Sequence, residues 1–156
     1  MKKLLILLVT HGGALVLGFG LGVYFLPILT AERSPDAAVL SQSAETAEFS
    51  ATLTRDLPGS DFVHWGEGTI SVSQTQIVHQ GALSPGPDYK LYLVPEFADD
   101  EASFEAQKDA SLRVGDVKSF DGFILDLPQG ADITAYTTVL VWCEAFGEFI
   151  TAAKYR

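Results

Sequence analysis

The residues of this chain that could carry chemistry are few. Its single cysteine, Cys143, lies in the closing run TTVLVWCEAFGEFITAAKYR. A lone cysteine cannot form an internal disulfide, so it is a packing residue, a reactive thiol or a ligand. The chain has three histidines, and only His64 and His79 lie outside the apolar N-terminal run. These two are the imidazole candidates, and neither has a cysteine or a paired acid nearby in sequence.

No signature of a known enzyme class accompanies these residues. The chain lacks Gly-x-Ser-x-Gly, His-Glu-x-x-His, the phosphate-binding loop and Cys-x-x-Cys, so we expect no stand-alone enzyme and can name no metal. A blue-copper site usually adds two histidines and a methionine to the thiolate, yet the only methionine is Met1. Haem ligation needs one cysteine and leaves no spacing signature, so the cofactor stays unknown.

The alternation of residues around Cys143 predicts where its side chain points. In a strand through residues 137–145, Cys143 shares a face with Val139 and Val141, whereas Trp142 lies on the other face with Leu140. The valines indicate a buried side. Free cysteine packs well as a small hydrophobic residue, but a thiol outside the cytoplasm faces oxidants. A core role and a redox role both stay open.

Composition limits the classes of function. A chain of 156 residues with 47% hydrophobic content can form one domain plus an appendage. After residue 30 there are eight Lys or Arg and 20 Asp or Glu, a net charge of −12. Such a surface repels phosphate backbones, which argues against nucleic acid as a partner.

The N-terminus reads as a membrane anchor. After Lys3, 28 residues contain no Lys, Arg, Asp or Glu. A secretory signal has an apolar run of about 7–15 residues, whereas a span needs roughly 20, so length favours an uncleaved anchor over a cleaved signal peptide. Lys2 and Lys3 place the N-terminus in the cytoplasm and residues 32–156 across the membrane. In a bacterium this is a single-pass inner-membrane protein with a periplasmic domain.

We divide the chain into an anchor at 1–31, a tether at 32–60 and a β domain at 61–156. Small and polar residues dominate the tether, where Ser34 is a plausible N-cap of a short helix, and Leu57-Pro58-Gly59-Ser60 marks its end.

The β domain is read from short alternating segments. GTISVSQ, QIVHQ, YKLYLV, TVLVWCEAF and FITAAKY predict strands, and Asp121-Gly122 between two apolar stretches predicts a hairpin. FADDEASFEAQKDAS predicts a short surface helix or an ordered loop, and it lacks the pattern of a calcium loop. The fold class is therefore all-β, an antiparallel sandwich or barrel with one short helix or loop insertion, preceded by a transmembrane helix.

Three stretches in this order, HWGEGTISV, GPDYKLYLVP and TTVLVWCEAFGEFITAAKY, resemble the DM-thirteen domain, also called the electron-transfer DM domain. The similarity covers residues 62–156. It rests on Gly66 and Gly68, Gly86-Pro87-Asp88, and Trp142-Cys143. The acidic stretch EFADDEASFEAQKD departs from the simpler members.

The resemblance implies a β-sandwich-like extracytoplasmic domain whose cysteine works in redox chemistry, as a thiol or as the ligand of a prosthetic group such as haem. We therefore expect Cys143 to be the redox or ligand residue, with Trp142, Asp88, His64 and His79 as supporting candidates. From the residues alone, Asp88 more simply closes the turn that Pro87 begins, and Trp142 more simply packs.

Two functions follow from this reading. The first is a membrane-anchored redox or electron-transfer accessory module that acts through Cys143 with a redox or envelope protein partner. The second is a non-enzymatic binding or scaffold module of the cell envelope, in which Cys143 is a core residue.

Overall fold

Eight strands and three α-helices make up the chain, and the computed structural model describes residues 1–156. The helices are α1 (Lys2–Thr30), α2 (Ala37–Ala44) and α3 (Glu101–Glu105). The strands are β1 (Phe49–Leu53), β2 (Gly66–Val72), β3 (Gln76–Leu83), β4 (Tyr89–Val94), β5 (Leu112–Val117), β6 (Phe123–Asp126), β7 (Thr138–Cys143) and β8 (Glu148–Lys154). Two 3₁₀ turns lie at Lys108–Ala110 and Ile133–Ala135.

The strands form two four-stranded antiparallel sheets. One has the order β1-β2-β3-β6 and the other the order β5-β4-β7-β8. A cluster of 17 buried residues makes the main core, and both sheets contribute to it; all but Ile133 and Tyr155 lie in strands. The predicted antiparallel β-sandwich is confirmed.

The second sheet is buried on both faces. Val139, Val141 and Cys143 of β7 belong to the main core, whereas Leu140 and Trp142 pack with Phe104 of α3 in a smaller cluster. The predicted alternation along β7 is therefore correct. Burial on both sides explains why every residue of β4 and β7 is buried.

The acidic stretch forms the predicted short helix. The Asp100 side chain accepts from the backbone N–H of Ser103, and the Ser103 hydroxyl lies within reach of the backbone N–H of Asp100, so the two residues form a capping box. The cap holds α3 against the outer face of the second sheet, where Phe104 is fully buried.

The hairpin predicted at Asp121-Gly122 is wrong. β5 pairs with β4 in one sheet, and β6 pairs with β3 in the other, so residues 118–122 cross between the sheets. Gly122 has a φ of +122°, a conformation that favours glycine in a crossing loop as much as in a hairpin turn. Leu83 also donates its backbone N–H to the Phe120 carbonyl, which ties the loop to β3.

Residues 32–60 carry helix α2, which packs on the sandwich, and β1, which is an edge strand of the first sheet. Helix α2 begins after Asp36, and not after Ser34, whose hydroxyl instead donates to the Asp121 carbonyl. Leu40 of α2 is buried, and β1 pairs with β2 along its whole length.

Helix α1 is long and apolar enough to cross a membrane or to be a signal sequence. Its last turns lie against the sandwich, where Pro27 is buried. The backbone N–H of Glu32 donates to the Lys118 carbonyl at 2.9 Å, which fixes the chain just after the helix.

Candidate functional site

Cys143 ends β7 at the same end of the sandwich where β4 begins. Tyr89 is its directly opposed partner in β4, and Glu148 is its partner in β8. The backbone N–H of Glu144 donates to the Asp88 carbonyl at 2.9 Å, which extends this pairing into the turns. Strand register therefore places the thiol beside the Gly86-Pro87-Asp88 turn.

The Cys143 side chain is 2% exposed, yet it lines a pocket of about 280 Å³ between α1 and the sandwich. We call this the thiol pocket. Helix α1 contributes its outer wall, and the loops before β2, β4 and β8 contribute the remainder. Its lining residues are Phe19, Gly20, Val23, Tyr24, Val63, His64, Pro85, Gly86, Pro87, Tyr89, Cys143 and Phe146. The face of β7 that carries Cys143 thus belongs to the core, and it borders the thiol pocket at Cys143.

The environment of the sulfur keeps the thiol protonated. Burial raises the pKa of Cys143, because an anion loses hydration in this apolar surrounding. The backbone amides of Phe146, Asp88 and Ala145 act in the opposite direction, since their N–H groups favour a thiolate. Burial is the larger effect, so the thiol is neutral at neutral pH while the amides stand ready to stabilise negative charge on sulfur.

Tyr89 is the second titratable group of the pocket. Burial is the main reason that its pKa is raised, although a hydrogen bond with Ser84 opposes the change. The two hydroxyl oxygens lie 3.5 Å apart. Gly86 lies under the ring, and a Cβ at that position would come within 2.3 Å of it. The absence of a side chain at Gly86 therefore lets the Tyr89 ring pack directly against this turn.

His64 reaches the thiol pocket from the loop before β2. Its Nδ1 lies 3.1 Å from an oxygen of Asp61, and the other oxygen of that carboxylate accepts from the backbone N–H groups of Val63 and His64 at 2.7 Å. The carboxylate thus fixes the loop and orients the imidazole, so the expectation that His64 has no paired acid nearby in sequence is wrong. His64 is the one histidine that shares a pocket with Cys143.

Asp88 acts on the site mainly through its backbone. Its carboxylate lies 2.6 Å from Lys90 Nζ, which also reaches Asp116 at 3.0 Å. The side chain therefore belongs to a surface ion-pair network, while the backbone N–H lies beside the sulfur of Cys143.

Trp142 and His79 lie away from the thiol pocket. Trp142 packs on Phe104, with ring centroids 4.9 Å apart, on the opposite face of β7 from Cys143. His79 is fully buried, its Nε2 lies 3.1 Å from the Glu67 carbonyl, and burial lowers its pKa. Neither Trp142 Nε1 nor His79 Nδ1 has a hydrogen-bond partner. The pocket thus brings together Cys143 and His64, along with the turn of Asp88.

The lining of the thiol pocket does not fit a haem. A pocket of about 280 Å³ lies at the lower limit of small-molecule sites, and the lining contains no Lys or Arg to pair with the two carboxylates of a haem. For metals, no group of three or more His, Cys, Asp or Glu side chains lies close enough to hold an ion.

Sequence reasoning missed two contributors to the site. The pattern YKLYLV predicts only a strand at Tyr89, although a residue that begins a strand can lie opposite the residue that ends an antiparallel neighbour. The contribution of α1 through Phe19 and Val23 has no local signal, because it depends on packing between distant segments.

Comparison with known proteins adds one finding. The family described as Electron transfer DM13 matches the chain over residues 56–155, which covers most of the sandwich and includes the Gly86-Pro87-Asp88 turn and Cys143. No curated protein and no solved structure matches the chain.

Proposed function

We propose a function for this chain, which belongs to the electron transfer DM13 family. It is a membrane-anchored extracytoplasmic redox module in which the Cys143 thiol is the group that is oxidised and reduced. The observation that carries the proposal is the position of the sulfur. The only thiol of the chain lies at a pocket wall, beside three backbone amides that favour negative charge on it.

The thiol pocket selects the class of oxidant. A pocket of about 280 Å³ roofed by α1 excludes a protein disulfide and admits a small molecule. No second cysteine exists in the chain to form an internal disulfide. A hydroperoxide is an oxidant of suitable size, and it needs only one sulfur.

The proposed step is a two-electron oxidation. The thiol gives up its proton, the sulfur attacks the peroxide, and an S–O bond forms as the O–O bond breaks. Sulfur becomes a sulfenic acid, and the displaced oxygen leaves with the proton as an alcohol or water. One thiol of a small dithiol molecule then forms a mixed disulfide with Cys143 and releases water, and the second thiol of that molecule displaces reduced Cys143 as it closes its own disulfide.

The residues around the sulfur support this step in separate ways. The amides of Phe146, Asp88 and Ala145 stabilise charge on sulfur as the proton leaves. The Tyr89 hydroxyl and the His64 imidazole are the polar side-chain groups that line the pocket together with the thiol. The apolar remainder excludes water and keeps the sulfenic acid away from the thiols of other proteins.

Charge and length support the proposed topology. Lys2 and Lys3 precede the apolar helix, so the positive-inside rule favours a cytoplasmic N-terminus and an extracytoplasmic sandwich, in the inner membrane of a bacterium. In this compartment a redox or envelope protein partner would keep the small dithiol reduced.

The test uses the full chain in phosphatidylcholine vesicles. After exposure to cumene hydroperoxide, a dimedone-type reagent should label Cys143 once, and a dithiol added before the reagent should abolish the label. Cys143→Ser is the control for site specificity. Absence of the label in the folded chain, under conditions that label the urea-unfolded chain, would contradict the proposal.

A second candidate function has its own support. Cys143 is a member of the 17-residue core, and its raised pKa is typical of an inert thiol. In a scaffold module of the envelope, Cys143→Ala would preserve every crosslinked partner and every cellular phenotype. Loss of a phenotype with unchanged protein level and unchanged crosslinks would favour the redox module.

A further inference from the structure

We propose that the end of the sandwich around α1 docks into the outer interface of the bilayer, so that the thiol pocket opens toward lipid. The surface consists of Phe62, Val63, Trp65 and Phe146, which we call the apolar rim. The inference rests on the proposed membrane span of α1, and it adds the source from which the pocket takes its ligand.

The length of α1 gives the first argument. The residues of α1 that line cavities with the sandwich begin at Phe19. The apolar run before that point is Leu4–Gly18, and 15 helical residues extend about 22 Å. The hydrocarbon core of a bilayer is roughly 30 Å thick, so a span must include about five further residues, from Phe19 to Val23. Those residues lie against the loops that carry the rim.

The exposed side chains of the rim give the second argument. Phe62 is 94% exposed and Phe146 is 52% exposed, and Val63 lies between them around the same pocket system. Large aromatic side chains in such positions are costly in water. They are favoured where an apolar body meets the boundary of a membrane.

A second cavity continues the rim around α1. It has a volume of about 400 Å³, and it is lined by Tyr24 of α1 together with Arg55, Phe62, Trp65 and neighbouring loop residues. The Arg55 guanidinium lies 3.3 Å from the centroid of the Trp65 ring. Tyrosine, tryptophan and arginine side chains have apolar bodies and polar ends, which suits them to the level of the lipid headgroups.

The charge of the chain identifies the kind of lipid surface. The part after residue 30 carries a net charge of −12, so an anionic surface would repel it. Docking must then depend on apolar insertion next to α1, and a zwitterionic bilayer is the suitable partner. The ligand class of the thiol pocket follows, because a molecule entering beside Phe19 and Phe146 arrives from the acyl chains. Under the proposed function it is a lipid-soluble hydroperoxide.

The two tryptophans provide a direct experiment. Trp65 belongs to the rim, whereas Trp142 is 1% exposed under α3. The full chain is placed in phosphatidylcholine vesicles with bromine atoms near the top of the acyl chains. We expect Trp142→Phe, which retains Trp65, to lose several-fold more emission than Trp65→Phe, which retains Trp142.

A pair of surface variants sharpens the result. Phe62→Ser removes the most exposed aromatic side chain of the rim and should reduce the quenching of Trp65. Phe97→Ser is the matched control, since Phe97 is 41% exposed in the loop after the opposite end of β4, and it should change nothing.

Flotation of the same vesicles distinguishes a failure of the membrane span from a failure of the docking. A chain that does not float contradicts the span of α1 and the docking with it. A chain that floats while Trp65 and Trp142 are quenched equally overturns the docking alone. Neither result bears on oxidation of Cys143 by cumene hydroperoxide, which tests the proposed function separately.

Discussion

Tyr89 and Cys143 are directly opposed residues of β4 and β7, and both side chains reach the pocket that α1 covers. Burial raises the pKa of both groups, so a neutral thiol lies beside a neutral phenol at neutral pH. The thiolate is the nucleophilic form, and it is therefore the minor form. The reactivity of Cys143 therefore depends on the loss of the thiol proton.

The reaction of Cys143 with iodoacetamide should show this dependence. Because only the thiolate reacts, the rate should rise about tenfold per pH unit below the pKa. Burial places that pKa above the ordinary value of 9.0, so the rate should still be rising there. The measurement is the alkylation rate of the folded chain between pH 7 and 10.5. A plateau below pH 8.5 would show that the amides outweigh burial.

Gly86 should control the position of the Tyr89 ring. In Gly86→Ala the new Cβ would come within 2.3 Å of the ring, which must move. We expect a loss of about 1–3 kcal/mol in the free energy of unfolding, as for an overpacked site, and several-fold faster alkylation of Cys143. Gly115→Ala is the control, since its Cβ would meet Leu125 at an ordinary 3.7 Å. Equal alkylation rates in the two variants would mean that the ring does not shield the thiol.

The roof of the thiol pocket should limit access to the sulfur. Phe19→Ala removes a lining side chain of α1 and should speed alkylation by a membrane-permeant maleimide several-fold. Leu15→Ala shortens an exposed side chain one turn earlier, outside the pocket, and should leave the rate unchanged. If both variants behave like the parent chain, α1 does not cover Cys143 in the membrane-bound protein.

Alkaline pH should destabilise the sandwich. Burial raises the pKa of Tyr155 to about 12 and is also the largest cause of the upward shifts at Tyr89 and Tyr92. Unfolded tyrosines release their protons near pH 10, whereas the folded chain retains them, so the free energy of unfolding should fall as the pH rises above about 10. Urea unfolding between pH 8 and 11 measures this decline.

Tyr155→Phe separates one contribution to that decline. The Tyr155 hydroxyl donates to the Ile133 carbonyl at 2.7 Å, so its removal should cost about 1 kcal/mol at neutral pH. The variant should also lose stability less steeply above pH 10, since one raised pKa is gone. An equally steep decline would assign the effect to other groups.

The sequence predicted the faces of the strands better than their partners. Alternation in β7 placed Cys143 with two valines because strand geometry fixes which residues share a face. The acids before Phe104 predicted a short helix or an ordered loop, and the helix is found because acidic residues stabilise the first turn of a helix locally. Membership in the electron-transfer family was also predicted, and the match over residues 56–155 confirms it.

The features that the sequence did not predict correctly depend on contacts between residues that are distant in the chain. Asp121-Gly122 has the residues of a tight turn, but turn chemistry does not tell whether the next strand returns to the same sheet. β1 is only five residues long, and the three residues between Phe49 and Leu53 are small or polar, so its pairing with β2 has little local signal. The thiol pocket forms only where α1 packs against three loops of the sandwich, and no residue spacing in the sequence predicts that packing.

The most direct measurement is the redox state of Cys143 in membranes that contain the full chain. Acid quenching followed by differential alkylation counts free thiol and thiol that a reductant releases. We predict that Cys143 is present both as free thiol and as thiol that a reductant releases. Brief exposure to a lipid-soluble hydroperoxide should increase the fraction that the reductant releases. A Cys143 that stays entirely as free thiol before and after that exposure would contradict the account.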